Sequence, residues 1–323
     1  MVITMKIVFL EADSLGNDVD LTIFDSLGEV IKYDKSEPSE NRNRIKEADI
    51  LVVNKIPMNE STLCDANDLK LICITATGTN IVDFEYTNSR NIAVTNVKGY
   101  STQSVIQHTF ALLFYLYEKL SYYDNFVKSG DYIKSDIFSH FNKKFNELYG
   151  KTWGIIGLGE IGKGVAGVAN AFGCKVIYYS TSGKNVNSNY SQVDFNTLLK
   201  HSDIISIHAP LNEATKNLIN ADALSKMKKS AILLNLGRGP IVNEEDLADA
   251  LENNIIAGAG LDVISVEPMV ATNPLYRIKD STKLIITPHI AWATVEARNR
   301  VVTEVYKNIG AFFKGEERNI VKE

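Results

Sequence analysis

The strongest constraint on this sequence is a glycine-rich turn near its centre. The letters GIIGLGEIGKG at 154–164 begin within a short apolar run, formed by Trp153, Ile155 and Ile156, and precede an amphipathic run at 165–172. A strand, a tight glycine turn and a helix in this order form a unit that binds a dinucleotide, with the phosphates on the free N–H groups at the helix start. The pattern alone is weak, because glycine turns between strands and helices are common. It predicts cofactor contacts at Gly157, Gly159, Glu160, Ile161 and Gly162.

The composition indicates a globular protein of two domains. At 323 residues the chain is long for one domain and comfortable for two. The net charge is −5 and the charges are mixed along the chain, so we expect neither nucleic acid nor a membrane surface as the main partner. The three cysteines are odd in number and form no CxxC pair, and the start lacks a signal-peptide pattern. These features predict a cytoplasmic protein with reduced thiols and no metal site.

Alternating strands and helices predict an α/β fold with two parallel sheets. Four strand candidates lie in the first hundred residues, at 7–10, 50–53, 71–74 and 92–96, and six more lie between about 153 and 287. We expect a Rossmann-type doubly wound dinucleotide-binding domain at 102–287. The smaller domain, at 1–101 and 288–323, is expected to be a discontinuous, flavodoxin-like α/β substrate-binding domain, because the C-terminal helix cannot form a domain alone.

The segment 102–128 predicts a single long helix. Its apolar residues lie nearly all round the helix, so it must be buried within a domain or against a second subunit. The following segment, 130–149, is polar and aromatic and predicts an excursion before the central strand.

The cofactor cannot be named from the end of the second strand of the unit. A carboxylate about 20 residues after the glycines would bind the ribose 2′-hydroxyl of NAD. Ser180 and Thr181 stand there instead, followed by Lys184. Hydroxyls and a lysine would tolerate the 2′-phosphate of NADP, whereas the alternative reading is a solvated polar turn. NAD and NADP both remain open.

Three polar residues lie next to a glycine or a proline, just beyond the ends of predicted strands. A 2-oxo acid needs a guanidinium for its carboxylate, and Arg238 stands between two glycines. Proton transfer near neutral pH suits a histidine, and His289 follows a proline. Glu267 could orient that histidine and favour its protonated form. Taken singly, Arg238 could be an ordinary surface arginine, Glu267 a loop glutamate and His289 a capped histidine. Together, the three residues favour a catalytic site.

At these residues the chain resembles the D-2-hydroxyacid dehydrogenase family of NAD(P)-dependent enzymes over essentially its full length. The matching segments are GLGEIG at 157–162, HAPL at 208–211, NLGRG at 235–239, DVISVEP at 262–268 and PH at 288–289. The resemblance implies that Arg238 binds the substrate carboxylate and carbonyl, that His289 exchanges the proton, and that Glu267 pairs with His289.

The resemblance also implies further contacts. It places Asp262 near the nicotinamide carboxamide and the backbone of Thr77 and Gly78 at the substrate, although Gly78 alone reads as a turn. The remaining cofactor contacts that it implies are His208, Pro210, Thr215, Leu236, Gly237 and Ala291. A two-domain layout with a cleft and a homodimer through the cofactor domains are further expectations from the family.

Within the family, several segments most resemble those of bacterial glycerate dehydrogenases, also called hydroxypyruvate reductases. These are NKIP at 54–57, ATGTN at 76–80, QHTFA at 107–111 and HIAWAT at 289–294. Hydroxypyruvate or glyoxylate reduction is therefore expected, with a D-lactate or 2-hydroxyisocaproate dehydrogenase as the alternative and an NAD(H)-sensing, corepressor-like binding protein as a distant one. The chain departs from the family pattern at Ser180, which is commonly aspartate. Formate dehydrogenases carry glutamine in place of Glu267.

Overall fold

The computed structural model describes residues 5–184 and 186–322. The chain divides into two compact units. The small unit comprises Met1–Tyr100 and Ala293–Glu323, and the large unit comprises Ser101–Trp292. The segment that carries His289 therefore belongs with the strands of the large unit. The functional names given to the two domains from sequence stay predictions.

The small unit is built on a parallel sheet of five strands among the described residues. The strands are β1 Lys6–Phe9, β2 Glu29–Lys32, β3 Ile50–Val53, β4 Leu71–Ile74 and β5 Ala93–Thr95. Their spatial order is β2-β1-β3-β4-β5, and every pairing is parallel. This is the flavodoxin-like order, so the fold class predicted for the smaller domain is confirmed.

The large unit is built on a parallel sheet of seven strands, counted over the described residues. The strands are β6 Thr152–Ile156, β7 Lys175–Tyr179, β8 Ser191–Gln192, β9 Ile204–Ile207, β10 Ile232–Asn235, β11 Gly258–Leu261 and β12 Leu284–Ile286. Their order is β12-β11-β10-β9-β6-β7-β8. The order reverses between β6 and β9, which is the position where doubly wound sheets bind ligands. The predicted Rossmann-type sheet is confirmed.

Two strands were missed by the sequence prediction. β2 carries the letters EVIK and none of its residues is buried. β8 has two residues, and both are exposed. Both lie at a sheet edge, where one side of the strand faces no partner and a long apolar run is not required.

The helices lie on the two sheets in the order that parallel connections require. They are α1 Pro38–Ile45, α2 Glu60–Leu63, α3 Phe84–Ser89, α4 Thr102–Tyr117, α5 Leu120–Lys128, α6 Glu160–Ala171, α7 Phe195–His201, α8 Ala221–Lys226, α9 Glu244–Glu252 and α10 Val295–Phe313. The side chain of Asn308 on α10 donates to the carbonyl of Asn96, just after β5, over 3.2 Å. The C-terminal helix thus packs on the N-terminal sheet within the small unit.

The long helix predicted at 102–128 is two helices. The chain leaves the helical conformation at Lys119, which has a φ of +58°, and α5 starts at the next residue. α4 is buried within the large unit itself: a Cβ added at Gly260 on β11 would lie 3.1 Å from Cβ of Leu112, and one at Gly164 on α6 would lie 2.1 Å from Cδ1 of Ile106. Its apolar surface is therefore covered by the sheet and by α6. Over the described ranges, no helix combines the length and the apolar character needed to cross a membrane.

Candidate active site

The glycine turn joins β6 to α6, and its glycines meet different constraints. Gly157 has a φ of +91°, and a Cβ there would lie 2.9 Å from the backbone of Ala209. A Cβ at Gly162 would lie 2.3 Å from the carbonyl oxygen of Gly157. At Gly159 an added Cβ would meet nothing within 4 Å. The first and last glycines thus allow close packing, whereas the middle one leaves open space for a ligand.

The start of α6 is suited to an anion. Its N-cap is Gly159, which offers no side-chain acceptor to the first-turn N–H groups. The Glu160 side chain is exposed and pairs with Lys163 over 3.0 Å, so Glu160 and Ile161 contribute backbone groups at this end of the helix. Free N–H groups and the positive end of the helix dipole favour a phosphate. The turn therefore fits the pyrophosphate of a dinucleotide.

The end of β7 is where a ribose would be recognised. Ser180 is buried, and its Oγ has no hydrogen-bond partner in the part of the chain that the structure describes. Thr181 is half-buried and Lys184 is exposed. An unpaired buried hydroxyl costs about 1–3 kcal/mol, so a ligand hydroxyl or phosphate that pairs with Ser180 would recover that free energy.

The loop after β9 passes beside the glycine turn. The backbone N–H of His208 donates to the carbonyl of Ile156 on β6 over 2.8 Å. Both ring nitrogens of His208 lack a partner among residues 5–184 and 186–322. Burial lowers the pKa of His208 to about 3, so the ring is neutral. Thr215 is fully buried and donates to the carbonyl of Pro210 over 2.7 Å, so its hydroxyl shapes this loop.

The turn after β10 is held by a residue to which sequence reasoning assigned no role. The side chain of Asn235 accepts from the N–H of Gly237 over 3.1 Å and donates to the carbonyl of Arg238 over 3.0 Å. Leu236 between them is buried. Asparagine at a strand end is a common turn former, because its side chain can accept from the backbone N–H two residues on, and this is the signal that could have identified Asn235.

Arg238 is exposed at this turn. Among the described residues its guanidinium makes one hydrogen bond, from Nη1 to the carbonyl of Gly237 over 2.8 Å. The next residue, Gly239, must be a glycine, because a Cβ there would lie 2.0 Å from the backbone of Ile264. Most of the donors of Arg238 are therefore left for a carboxylate ligand.

His289 and Glu267 form a hydrogen-bonded pair between the loops that follow β12 and β11. Nδ1 of His289 lies 2.7 Å from Oε2 of Glu267, and the two side chains are 27% and 31% exposed. Oε1 of Glu267 accepts from the N–H of Ile264 over 3.2 Å. This contact orients the ring through Nδ1 and leaves Nε2 for a substrate proton.

A second glutamate, missed from the sequence, fastens the loop that carries Glu267. Glu244, the first residue of α9, accepts from the N–H of Ser265 and, over 2.7 Å, from Nδ2 of Asn273. The sequence feature that could have indicated this role is the acidic run at the start of α9. Acidic residues are common at helix starts, where they interact with the helix dipole, so the run did not single out Glu244.

Asp262 is 2% exposed and its carboxylate is occupied by the chain itself. Oδ1 accepts from Oγ1 of Thr287 over 2.6 Å and from the N–H of Ile290 over 2.9 Å, and Oδ2 accepts from the N–H of Ala291 over 2.9 Å. These contacts use three of its roughly four acceptor positions. Its contact with the nicotinamide carboxamide stays a prediction.

The sheet brings most of the predicted residues to one edge. β10, β11 and β12 are neighbours and parallel, so Arg238, Glu267 and His289 follow adjacent strand ends. Thr77 and Gly78 belong to the small unit, where they follow β4 and where Oγ1 of Thr77 donates to the carbonyl of Val97 over 2.8 Å. Their substrate contacts stay predictions. No cluster of metal-ligating side chains occurs in the described ranges.

Comparison with known proteins identifies the family. Residues 110–291 match the model of the D-isomer specific 2-hydroxyacid dehydrogenase, NAD binding domain. The chain belongs to this family. It is 39% identical to glycerate dehydrogenase of Methylorubrum extorquens over 320 residues, which cover 99% of each chain. It is 36% identical to hydroxypyruvate reductase of Blautia hydrogenotrophica, with 98% of this chain and 99% of the relative covered.

A solved structure agrees with this assignment. The D-lactate dehydrogenase of Aquifex aeolicus, complexed with NAD and lactic acid, superposes with a TM-score of 0.83 at 28% identity, covering 96% of each chain. The protein is therefore an oxidoreductase that acts on CH–OH groups with NAD or NADP.

In this dehydrogenase, Ser180→Asp should shift the cofactor preference towards NADH. A carboxylate at the end of β7 repels a 2′-phosphate, so the Kd for NADPH should rise about tenfold or more while the Kd for NADH rises little or falls. Isothermal titration calorimetry of both cofactors measures the two constants. Ser180→Asn, which has nearly the same shape without the charge, is the matched control. An unchanged ratio of the two constants in Ser180→Asp would remove this residue from cofactor discrimination.

His208, whose ring nitrogens are buried, should make the dehydrogenase less stable in acid. Its native pKa of about 3 lies below the 6.5 of an exposed histidine, so the unfolded chain binds more protons between these values and stability falls as pH falls. The loss from this group is about 1.4 kcal/mol per pH unit below 6.5. Urea unfolding at pH 7.5 and 5.0 should show a smaller pH dependence in His208→Gln. Equal pH dependence in both proteins would contradict the neutral, buried state.

Proposed function

We propose that the protein reduces a short 2-oxo acid, hydroxypyruvate or glyoxylate, to the corresponding 2-hydroxy acid, as a glycerate dehydrogenase does. The observation that carries the proposal is the 2.7 Å contact between His289 and Glu267, next to the strand end that bears Arg238. The names of the relatives, glycerate dehydrogenase and hydroxypyruvate reductase, support this substrate class.

Each residue has one chemical task in this reaction. Arg238 binds the substrate carboxylate through paired N–H donors, which also directs the carbonyl group. The nicotinamide cofactor, when bound, supplies the hydride for the carbonyl carbon. His289 gives the proton from Nε2 to the carbonyl oxygen, and Glu267 orients the ring through its contact with Nδ1. Oxidation of the hydroxy acid uses the same groups in reverse, with His289 as the base.

The cofactor residues have supporting roles in the proposal. The turn at Gly157, Gly159 and Gly162 holds the pyrophosphate at the start of α6, and Ser180 pairs with the adenosine ribose or its 2′-phosphate. The remaining predicted contacts shape the pocket along the strand ends: His208, Pro210, Thr215, Leu236, Gly237, Asp262 and Ala291. Thr77 and Gly78 supply backbone groups to the substrate.

Substitutions at Arg238 and His289 should affect different kinetic constants. Arg238→Ala should lower kcat/KM for hydroxypyruvate about 100-fold, mainly by raising KM, because the carboxylate loses its paired donors. His289→Gln should lower kcat about 100-fold or more, because the proton donor is lost, while the Kd for NADH stays within twofold. Steady-state assays with hydroxypyruvate, glyoxylate, pyruvate and 2-oxoisocaproate, using NADH and NADPH, measure both effects. Near wild-type turnover by His289→Gln would refute the mechanism, and a flat substrate profile would refute the substrate class.

The enzyme is further proposed to act as a cytoplasmic homodimer. Free thiols at Cys64, Cys73 and Cys174 support a reducing compartment. Between α5 and β6 the chain carries apolar side chains that are largely exposed in the single chain. Examples are Ile133 at 88%, Phe138 at 90%, Phe141 at 76% and Tyr149 at 79%. A second copy of the cofactor domain would cover this apolar surface, which a monomer rarely exposes.

The dimer is tested by mass in solution. Light scattering after size exclusion should give twice the 35.8 kDa of one chain, and Phe138→Ser with Phe141→Ser should shift the protein towards the monomer. Val186→Ser, at an exposed apolar residue outside this segment, is the control. A monomeric wild-type protein would refute the dimer without affecting the proposed chemistry.

A further inference from the structure

A chain of hydrogen bonds runs from α4 to the loop that carries His289. Nε2 of His108 on α4 lies 2.9 Å from Oγ1 of Thr287, and this hydroxyl lies 2.6 Å from Oδ1 of Asp262. The side chains of His108 and Asp262 are 19% and 2% exposed. The proposed chemistry does not use His108 or Thr287, so their arrangement requires a separate explanation.

The direction of these hydrogen bonds follows from the donors that are present. An ionised carboxylate can only accept, so Thr287 gives its single hydroxyl hydrogen to Asp262. The oxygen of Thr287 must then accept from His108, which assigns a hydrogen to Nε2 of that ring. Nε2 also lies 3.5 Å from Oδ1 of Asp262. His108 is thus the donor at the start of the chain.

The far end of the chain fixes the backbone around His289. The carboxylate of Asp262 accepts from the N–H groups of Ile290 and Ala291, and its backbone carbonyl accepts from the N–H of His289 over 2.9 Å. His289 has a φ of +54°, a left-handed conformation that residues other than glycine seldom adopt. One aspartate therefore holds three consecutive N–H groups and stabilises an otherwise unfavourable backbone.

α4 contacts the same loop at a second point. Oγ of Ser104, four positions before His108 and so on the same helix face, donates to the carbonyl of Ala291. Ser104 binds the backbone carbonyl of the loop directly. His108, through Thr287, contacts the carboxylate that binds the N–H groups of the loop. The loop is thus held by polar contacts to a buried helix.

We propose that His108 is a positioning residue for the proton donor. Through Thr287 and Asp262 it holds the 289–291 loop so that the imidazole of His289 stays against Glu267. This inference rests on the proposed function of His289. It assigns to α4 a task in the active site that neither the glycine turn nor the strand-end residues perform.

Kinetics of paired variants test the proposal. His108→Leu keeps the approximate volume without a donor, whereas His108→Gln restores an N–H donor. His108→Leu should lower kcat for hydroxypyruvate tenfold or more with the Kd for NADH within twofold, and His108→Gln should recover most of the loss. Thr287→Val should match His108→Leu, and the double variant should be no slower than either, because both break the same chain. His201→Gln, at the exposed end of α7, is the histidine control.

A readout without substrate separates this inference from the proposed function. Nitrogen-15 spectra of the imidazoles should give the Nε2–H form for His108. The ring signals of His289 should move in His108→Leu and Thr287→Val and return in His108→Gln. Unmoved His289 signals, equal effects of leucine and glutamine at 108, or the other tautomer of His108 would overturn the inference. A wild-type protein inactive on every 2-oxo acid would refute the function alone, since the spectra would still decide the positioning role.

Discussion

Parallel pairing in the seven-stranded sheet is the constraint on which the candidate site depends. Because all its strands run the same way, the glycine turn and the loops after β9 to β12 emerge at a single edge. The turn and the sheet are coupled at Gly157, where an added Cβ would lie 2.9 Å from the backbone of Ala209. A side chain at Gly157 would clash with the strand end beside it. The close approach of the turn after β6 to the end of β9 therefore requires a glycine at this position.

Two carboxylates organise the loops at this edge. The buried Asp262 binds the hydroxyl of Thr287 and the backbone N–H groups of Ile290 and Ala291, and the half-buried Glu244 fastens the segment that carries Glu267. A carboxylate that accepts several N–H groups compensates for its desolvation and gives strong, directional contacts. The loops that carry Glu267 and His289 are thus held by two acids, whose directional contacts define the loop conformation more narrowly than apolar packing would.

Much of the fold could be predicted from the sequence, because its signals are local. β3 and β4 are continuous apolar runs that are buried throughout, and both were predicted at 50–53 and 71–74. The edge strands β2 and β8 were not predicted, because exposed strands need no continuous apolar run. The break between α4 and α5 was not predicted, because lysine is an ordinary helix former. The left-handed conformation of Lys119 is imposed by the surrounding structure.

The sequence by itself determined the two parallel sheets, the glycine turn and the candidacy of Arg238, Glu267 and His289, since periodicity, glycine spacing and residue chemistry are properties of adjacent letters. The family resemblance implied that Glu267 pairs with His289, but only the tertiary structure gives the geometry of that contact and brings His108 to Thr287. The two contacts span 22 and 179 positions. Such contacts depend on strand order and register, which result from packing over the whole sheet and are not encoded in any short segment.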